Sequence, residues 1–189
     1  TVEDSEFNAN TGTDDGVGVN LTNTSASSTI DNTIIAEHAE EGVNVTGANA
    51  TVNITGSSTI ENNGGSGVVS TNENEVTFDL IIEDDTTVNN NSADGLNLND
   101  GNISLTLTQS EVVDHTNSSG VLLQNVSNDT VINRTTIESN GIGLDVTGIN
   151  NDSNTTVVRN NAFDANANFS ISNSGVNKLN ASLNHFSSV

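Results

Sequence analysis

The chain has 189 residues, of which 25 are acidic and three are basic, so its net charge at pH 7 is −22. This length is enough for a substantial core, and we interpret residues 1–189 as a single domain. The lack of cysteine excludes disulfides and thiolate metal sites. No apolar run reaches the roughly 18 residues of a membrane-spanning helix, and three scattered cations give no basic patch for nucleic acid.

The charge indicates an unusual environment. At low ionic strength a net charge of −22 destabilises any compact state through self-repulsion. At about 1 M salt the Debye length falls to about 3 Å, so most of that repulsion is screened and the carboxylates act as a solvating layer. The sequence therefore predicts a halophilic source. An ordinary acidic secreted repeat protein is the alternative.

In chain order, the first regular feature is a glycine that precedes alternating apolar residues, as in Gly95-Leu96-Asn97-Leu98. Such glycines recur at intervals of 21 to 28 residues. They are Gly16, Gly42, Gly67, Gly95, Gly120 and Gly141. A period of this length is typical of solenoids.

Two further apolar groups follow each glycine segment. The second also alternates, as in Phe78-Asp79-Leu80, and the third is a single apolar residue after Ser or Thr, as at Ile30 and Ile60. Alternation places every second side chain on one face, so three short strands per repeat can point apolar side chains at a common axis. Residues 34–41 could form a helical turn, and we predict that they are a longer loop inserted between two coils.

The most specific element of the repeat is an apolar residue, an Asn three places later, and a Gly before the next strand. It occurs as Ile60-Asn63-Gly67, Val88-Asn91-Gly95 and Ile137-Asn140-Gly141. This pattern resembles the right-handed parallel β-helix of the pectin-lyase-like family and the β-helix repeats of haloarchaeal surface proteins. The resemblance implies an all-β solenoid of about six to seven coils of roughly 25 residues, with three short strands each. It implies no activity, since this architecture carries lyases, hydrolases and adhesins alike.

The residue three places after the third apolar group is the strongest candidate for a special role. In successive coils it is Asn10, Thr33, Asn63, Asn91, His115, Asn140 and Asn166. Equivalent side chains of stacked coils lie above one another, so we predict a structural amide ladder that satisfies the backbone groups of the turns. The predicted ladder consists of Asn10, Asn63, Asn91, Asn140 and Asn166, with His115 as a substitute.

The remaining histidines and the carboxylates give weaker signals. We predict that His38 lies in a solvated acidic loop, with a cation site as the alternative. Carbohydrate-active enzymes of this architecture need opposed carboxylates, or carboxylates with a cation and a base. Asp94 and Asp145 are the candidate carboxylates, while Arg134 and Arg159, 25 residues apart, are more simply one outward column. We predict no catalytic residue, no cofactor and at most weak surface cation binding.

Asn-x-Ser/Thr sequons occur fifteen times, more often than this composition gives by chance. They indicate a glycosylated surface protein. The candidates that we place in accessible turns are Asn49, Asn102, Asn117, Asn128 and Asn154.

Together these features predict a non-enzymatic extracellular or cell-surface module: a stalk, an adhesin or a filament subunit of a halophile. A polysaccharide-binding or polysaccharide-cleaving domain is one alternative, and a fibre or spike of a halophilic virus is another. Because neither end of the sequence offers a polar cap, we expect a segment of a longer chain or one unit of a stacked assembly. The expected partners are other copies or flanking domains at the open solenoid ends, and cell-surface glycans.

Overall fold

A computed structural model describes residues 1–3, 5–8, 16–23, 25–47, 49–71, 77–126, 129–148, 156–175 and 179–187. Within these ranges the regular elements are β-strands, and no helix is long and apolar enough to cross a membrane. In chain order the strands are β1 (Val2–Glu3), β2 (Glu6–Asn8), β3 (Val19–Thr22), β4 (Ser28–Asp31), β5 (Ile34–Ala36), β6 (Val43–Thr46), β7 (Thr51–Thr55), β8 (Thr59–Glu61), β9 (Val68–Thr71), β10 (Thr77–Ile82), β11 (Thr87–Asn89), β12 (Leu96–Thr108), β13 (Glu111–Val113), β14 (Ser119–Val126), β15 (Thr130–Asn133), β16 (Thr136–Glu138), β17 (Ile142–Val146), β18 (Thr156–Arg159), β19 (Ala162–Asp164), β20 (Phe169–Asn173), β21 (Leu179–Ser182) and β22 (His185–Phe186).

The strands stack into three parallel sheets, because each strand pairs with its equivalents in the coils before and after it. Leu80, for example, pairs with Leu105, one coil further on. The predicted all-β parallel solenoid of roughly 25 residues per turn is confirmed, with about six turns. Sheet A holds β1, β4, β7, β10, the second half of β12, β15, β18 and β21; sheet B holds β2, β5, β8, β11, β13, β16, β19 and β22; sheet C holds β3, β6, β9, the first half of β12, β14, β17 and β20.

The core is a stack of aliphatic columns between the three sheets. In β10, Phe78, Leu80 and Ile82 are fully buried, while Asp79 and Ile81 lie on the outer side. Burying one such side chain stabilises the fold by about 1.5 to 3 kcal/mol, and each coil contributes several. Because the inward columns continue from coil to coil, the core is one uninterrupted cluster.

One coil differs from the sequence prediction. Residues 34–36 form β5 in sheet B, with Ile35 fully buried, so the predicted inserted loop or helical turn is wrong here. Ile30 belongs to β4 in sheet A and is not the sheet B residue of its coil. The alternation was hidden because Ile34, an apolar residue that is 40% exposed, occupies the outward position next to Ile35.

A column of glycines lines the entry to sheet C, where each glycine lies against a backbone carbonyl of the next coil. A Cβ at Gly95 would lie 2.5 Å from the carbonyl oxygen of Gly120, which leaves no room for a side chain. Gly16 and Gly141 are not in this column: Gly18 directly precedes β3, so the prediction for Gly16 is wrong, whereas Gly141 does directly precede β17 but Gly143 takes the column position. The column is Gly18, Gly42, Gly67, Gly95, Gly120 and Gly143.

Candidate functional site

The polar residues that follow the sheet B strands form a buried column at the corner between sheets B and C, the BC corner. Asn63 Nδ2 donates to Asn91 Oδ1 at 2.8 Å, and Asn140 Nδ2 donates to Asn166 Oδ1 at 3.2 Å. Asn91 Nδ2 also donates to the carbonyl oxygen of Ile60 in the preceding coil at 3.1 Å. We call this column the Asn ladder: His38, Asn63, Asn91, His115, Asn140 and Asn166. Asn10 lies outside the described residues.

The backbone shares in the same network. Asn166 Oδ1 accepts the backbone N–H of Asn140 at 3.1 Å, and Asn91 Oδ1 accepts that of Asn63 at 3.1 Å. Each asparagine therefore bonds its neighbour's side chain, its neighbour's backbone and a strand carbonyl. Buried polar groups at a chain reversal destabilise a fold unless they are paired in this way.

His115 continues the ladder and is 1% exposed. Its Nδ1 lies 2.9 Å from Asn140 Oδ1, and its Nε2 lies 3.3 Å from Asn91 Nδ2. Since the first partner accepts and the second donates, the imidazole is neutral with its proton on Nδ1. Burial lowers the pKa of His115, and the bond to Asn140 and the charge of Asp114 only partly oppose that shift.

His38, and not the predicted Thr33, occupies the ladder position of its coil. Its backbone N–H donates to Asn63 Oδ1 at 3.0 Å, and its Nε2 donates to the carbonyl oxygen of Phe7 at 3.0 Å. The ring is therefore bonded within the stack instead of lying in a solvated acidic loop. Across the part of the chain that the structure describes, no group of three or more His, Asp or Glu side chains could hold a metal ion.

Thr33 belongs to a second buried column, at the corner between sheets A and B, the AB corner. Its backbone N–H donates to Ser58 Oγ at 3.1 Å, and Thr135 and Asn161 donate in the same way to the Oδ1 atoms of Asn161 and Asn184 at 2.9 and 3.1 Å. We call this column the corner ladder: Thr33, Ser58, Thr86, Ser110, Thr135, Asn161 and Asn184. The sequence prediction missed it, although a Ser, Thr or Asn stands two places before the core residue of each sheet B strand from β5 to β19.

The residue before each ladder position adopts a positive φ, which turns the chain sharply at both corners. At the BC corner φ ranges from 47° at Ala165 to 65° at Asp114. At the AB corner it ranges from 46° at Asn32 to 62° at Ser57, with Arg134 at 55° and Leu183 at 58°. Asn, Asp and Ser are the common occupants, since bulky side chains are disfavoured in this region.

A polar cleft of about 440 Å³ lies over the BC corner. Its wall includes Asn62 and Asn90, whose side chains bond each other at 2.7 Å, and the exposed sequon Asn117. The remaining lining residues are Asn91, Ser92, Asp114, His115 and Thr116. Apart from the carboxylate of Asp114 and the imidazole of His115, which is bonded within the ladder, the wall consists of amides and hydroxyls, and these offer hydrogen bonds to a neutral polar ligand.

The structure brings the two candidate aspartates within electrostatic range of each other. Burial raises the pKa of Asp94, the backbone N–H of Ser119 and the side chain of Asn97 lower it in part, and Asp145 raises it further. Both Asp94 oxygens are occupied, since Oδ1 accepts from Ser119 N at 2.8 Å and Oδ2 from Asn97 Nδ2 at 3.0 Å. A carboxyl with a raised pKa suits a general acid, but here it ties two coils together.

A second cleft, of about 550 Å³ at the AB corner, combines Arg134 with the carboxylates of Asp85 and Glu111. The other lining residues are Thr87, Gln109, Ser110 and Thr136. Arg159 lies one residue before the position equivalent to Arg134, because it pairs in register with Asn133. The prediction that the two arginines form one outward column is therefore wrong by one residue.

Among the predicted glycosylation sites, Asn49 and Asn117 are exposed. Asn102 is half-buried within β12, which runs without a turn from sheet C into sheet A, so its placement in a turn is wrong. Asn128 and Asn154 lie outside the described residues.

Comparisons with protein-family models, with curated proteins and with solved structures found no match to this chain.

Proposed function

We propose that the chain is a non-enzymatic structural or adhesive module, displayed outside a halophilic cell as part of a stalk, an adhesin or a filament. The Asn ladder is the observation that carries this function. It runs unbroken from His38 to Asn166 through five successive coil-to-coil steps and is buried along almost its whole length. Such a column stiffens a spacer, whereas a catalytic site needs polar side chains whose donors or acceptors are open to a substrate.

The side chains best suited to catalysis have structural partners. His115 and His38 are bonded within the ladder, and both oxygens of Asp94 hold backbone or amide groups. Both ring nitrogens of His115 are used within the ladder, and His38 Nε2 and each Asp94 oxygen likewise make a structural hydrogen bond. This use of reactive residues favours a structural role over polysaccharide cleavage.

Charge and surface chemistry support the cellular setting. A net charge of −22 with three basic residues suits molar salt, and the exposed sequons Asn49 and Asn117 suit a secreted glycoprotein. We further propose the right-handed, pectin-lyase-like form of the solenoid and kinship with haloarchaeal surface β-helix proteins, on the strength of the repeated apolar-x-x-Asn and Gly pattern.

The test is an activity screen at about 1 M KCl, where the acidic surface is screened. The chain is incubated with neutral and uronate-containing polysaccharides, and new reducing ends and unsaturated products are measured. We expect no depolymerisation above a heat-denatured control. Cleavage that persists after repurification would contradict the structural function.

The AB-corner cleft supports one second candidate, a polysaccharide-binding domain. It is lined by Arg134, Asp85 and Glu111, and a guanidinium and carboxylates in one cleft can hydrogen-bond sugar hydroxyls. Calorimetric titration of the intact chain and of Arg134→Gln with the same polysaccharides tests it. Binding that Arg134→Gln abolishes would favour this candidate, and equal heats for both proteins would dismiss it.

A further inference from the structure

Both Asn-Gly pairs of the sequence, Asn63-Gly64 and Asn140-Gly141, lie in the Asn ladder. In a flexible chain an asparagine before glycine loses its side-chain amide more readily than other asparagines do, because glycine leaves the next backbone nitrogen unhindered. In the folded stack both asparagines are 0% exposed. The side chains that are most reactive in an unfolded chain therefore occupy buried positions on which the BC corner depends.

The fold itself requires both residues of each pair. The asparagines supply the bonds of the ladder. A Cβ at Gly64 would lie 2.3 Å from the carbonyl oxygen of Ala39, and a Cβ at Gly141 would lie 2.9 Å from that of Ser118. Neither separation accommodates a side chain unless the backbone shifts. A less reactive pair is thus disfavoured at both positions by the packing of the coils.

The reaction in question is deamidation. The backbone nitrogen of the glycine loses its proton and forms a bond to the asparagine Cγ, the bond from Cγ to Nδ2 breaks, and the amide leaves as ammonia. Water then opens the resulting succinimide ring at one of its two carbonyls. The products are aspartate and isoaspartate, and the second carries the main chain through the side-chain carbon atoms.

In the folded stack the attacking nitrogens are already bonded. The Gly64 N–H donates to the carbonyl oxygen of His38 at 2.7 Å. The Gly141 N–H donates to the carbonyl oxygens of His115 and Ser118, both at 2.9 Å. Each nitrogen must leave these partners before it can approach the side chain of its own asparagine.

The side-chain amides are held as firmly as the nitrogens. Asn63 Oδ1 accepts the backbone N–H of His38 at 3.0 Å, and Asn140 Oδ1 accepts that of His115 at 3.1 Å. Both Nδ2 atoms donate to the next asparagine of the ladder. Because these partners belong to neighbouring coils, neither Cγ can rotate toward the following glycine until the coils separate locally.

We propose that Asn63 and Asn140 are deamidation sites that the ladder protects: they keep their amides while the stack is closed and are converted once it opens. Aspartate has no donor for the ladder and buries a charge in it. Isoaspartate inserts a methylene group into the main chain at the corner. A copy that has stayed unfolded is therefore chemically marked and cannot rebuild its stack. This inference goes beyond the proposed function and does not depend on it.

The first experiment follows both sites by peptide mass spectrometry at mildly alkaline pH, once in about 1 M KCl, where repulsion is screened, and once in guanidinium chloride, which unfolds the chain. We expect conversion to be at least about a hundredfold slower in the folded chain, because it requires local opening of the ladder. Ala50→Gly is the matched control, since it puts a glycine after the exposed Asn49. This new pair should react in the folded chain at close to its unfolded rate.

The second experiment measures whether conversion prevents refolding. The chain is held unfolded at mildly alkaline pH for increasing times and returned to neutral pH in about 1 M KCl, and circular dichroism gives the refolded fraction. We expect that fraction to fall in step with conversion at Asn63 and Asn140. It should stay constant for a chain held unfolded at mildly acidic pH, where the glycine N–H loses its proton too slowly. Asn140→Asp, which carries one product from the start, should unfold at a lower denaturant concentration than the unaltered chain.

Equal rates of conversion in the folded and unfolded chains would overturn this inference. So would a new pair at Asn49 that is protected as well as the ladder pairs, because protection would then come from folding in general. A refolded fraction that ignores conversion would overturn the chemical mark. Cleavage of a polysaccharide would contradict the structural function and leave this inference standing, so the two failures are distinguishable.

Discussion

Asparagine suits the ladder because its side chain carries an acceptor and two donors on a short stem. At Asn140 the acceptor takes the backbone and ring N–H groups of His115, and the two donors reach Val112 and Asn166. Aspartate would lack the donors, and leucine would lack both kinds of group. The residue type is therefore dictated by the number of backbone groups that the corner leaves unpaired.

Replacing Asn140 with alanine tests the ladder directly. The change leaves the His115 N–H groups and the Val112 carbonyl without partners in a buried place, so we expect a loss of about 3 kcal/mol in the free energy of unfolding. Urea unfolding at about 1 M KCl measures it. The control Asn53→Thr alters an outward strand residue and should change stability by less than about 0.5 kcal/mol. Similar losses for both variants would show that the buried hydrogen bonds of Asn140 add no more to the free energy of unfolding than an outward side chain does.

His115 makes the ladder sensitive to pH. Burial lowers its pKa below the ordinary value of 6.5, so as the pH falls the unfolded chain takes up this proton before the folded chain does. The stability that depends on neutral His115 is fully present above a pH of about 6.5 and is lost as the pH falls toward the folded pKa. The added proton also sets an Nε2–H against the donor Asn91 Nδ2.

We expect the unfolding free energy to fall between about pH 6.5 and 5.5 by at most about 1.4 kcal/mol on account of this residue. His115→Asn restores the usual ladder side chain and removes that part of the slope. Urea unfolding of both proteins at constant molar salt measures the difference and cancels the titration of the carboxylates common to both. Parallel pH profiles would contradict a buried neutral imidazole.

At the scale of the element, the unit that repeats is the short sheet B strand with a tight corner on each side. The pattern runs through a positive-φ residue, a corner-ladder residue, an outward residue, a core residue, an outward residue, a second positive-φ residue and a ladder residue. Residues 57–63 and 134–140 both follow it. Only one of these positions is apolar, so the element is held mainly by hydrogen bonds to neighbouring coils.

The glycine column sets a limit on how this stack can vary. We expect Gly95→Ala to cost at least about 2 kcal/mol, because the added Cβ would meet the Gly120 carbonyl oxygen at 2.5 Å and Val112 Cγ1 at 2.6 Å. Gly16→Ala is the matched control, since the nearest atom to its added Cβ lies at 3.5 Å. Thermal unfolding of the two variants measures the contrast. Equal melting temperatures would show that the coils can separate at little energetic expense.

Much of this element can be predicted from sequence, because alternation and the apolar-x-x-Asn step repeat in nearly every coil. The prediction fails where an apolar side chain occupies an outward position, as Ile34 does on the outer face of β5. The corner ladder was visible as Ser, Thr or Asn but not distinctive, since these residues also populate exposed turns. The nearness of Asp94 and Asp145 depends on the register of sheets across two coils, which sequence spacing does not fix.

At the scale of the whole molecule, charge and core act in opposite directions. Twenty-five acidic groups on a narrow solenoid repel one another, while the buried Val, Ile and Leu columns and the ladders hold the coils together. The balance depends on ionic strength much more than on any single contact.

We therefore expect the unfolding free energy to rise steeply as KCl increases from about 0.1 M to about 1 M, over which the Debye length falls from about 10 to 3 Å. Urea unfolding monitored by circular dichroism measures it. A variant with several exposed carboxylates replaced by amides, such as Glu37→Gln with Glu40→Gln and Glu111→Gln, should need less salt. A stability that is independent of KCl would remove the main support for a halophilic setting.

The corner between sheets C and A differs from the other two in a way that bears on evolution and engineering. β12 passes from sheet C into sheet A as one continuous strand, whereas nine residues of sequence separate β17 from β18. The strands on either side keep their register in both cases. New peptide segments can therefore be accommodated at this edge without shifting either ladder, which makes it the natural place to graft an epitope or a binding loop.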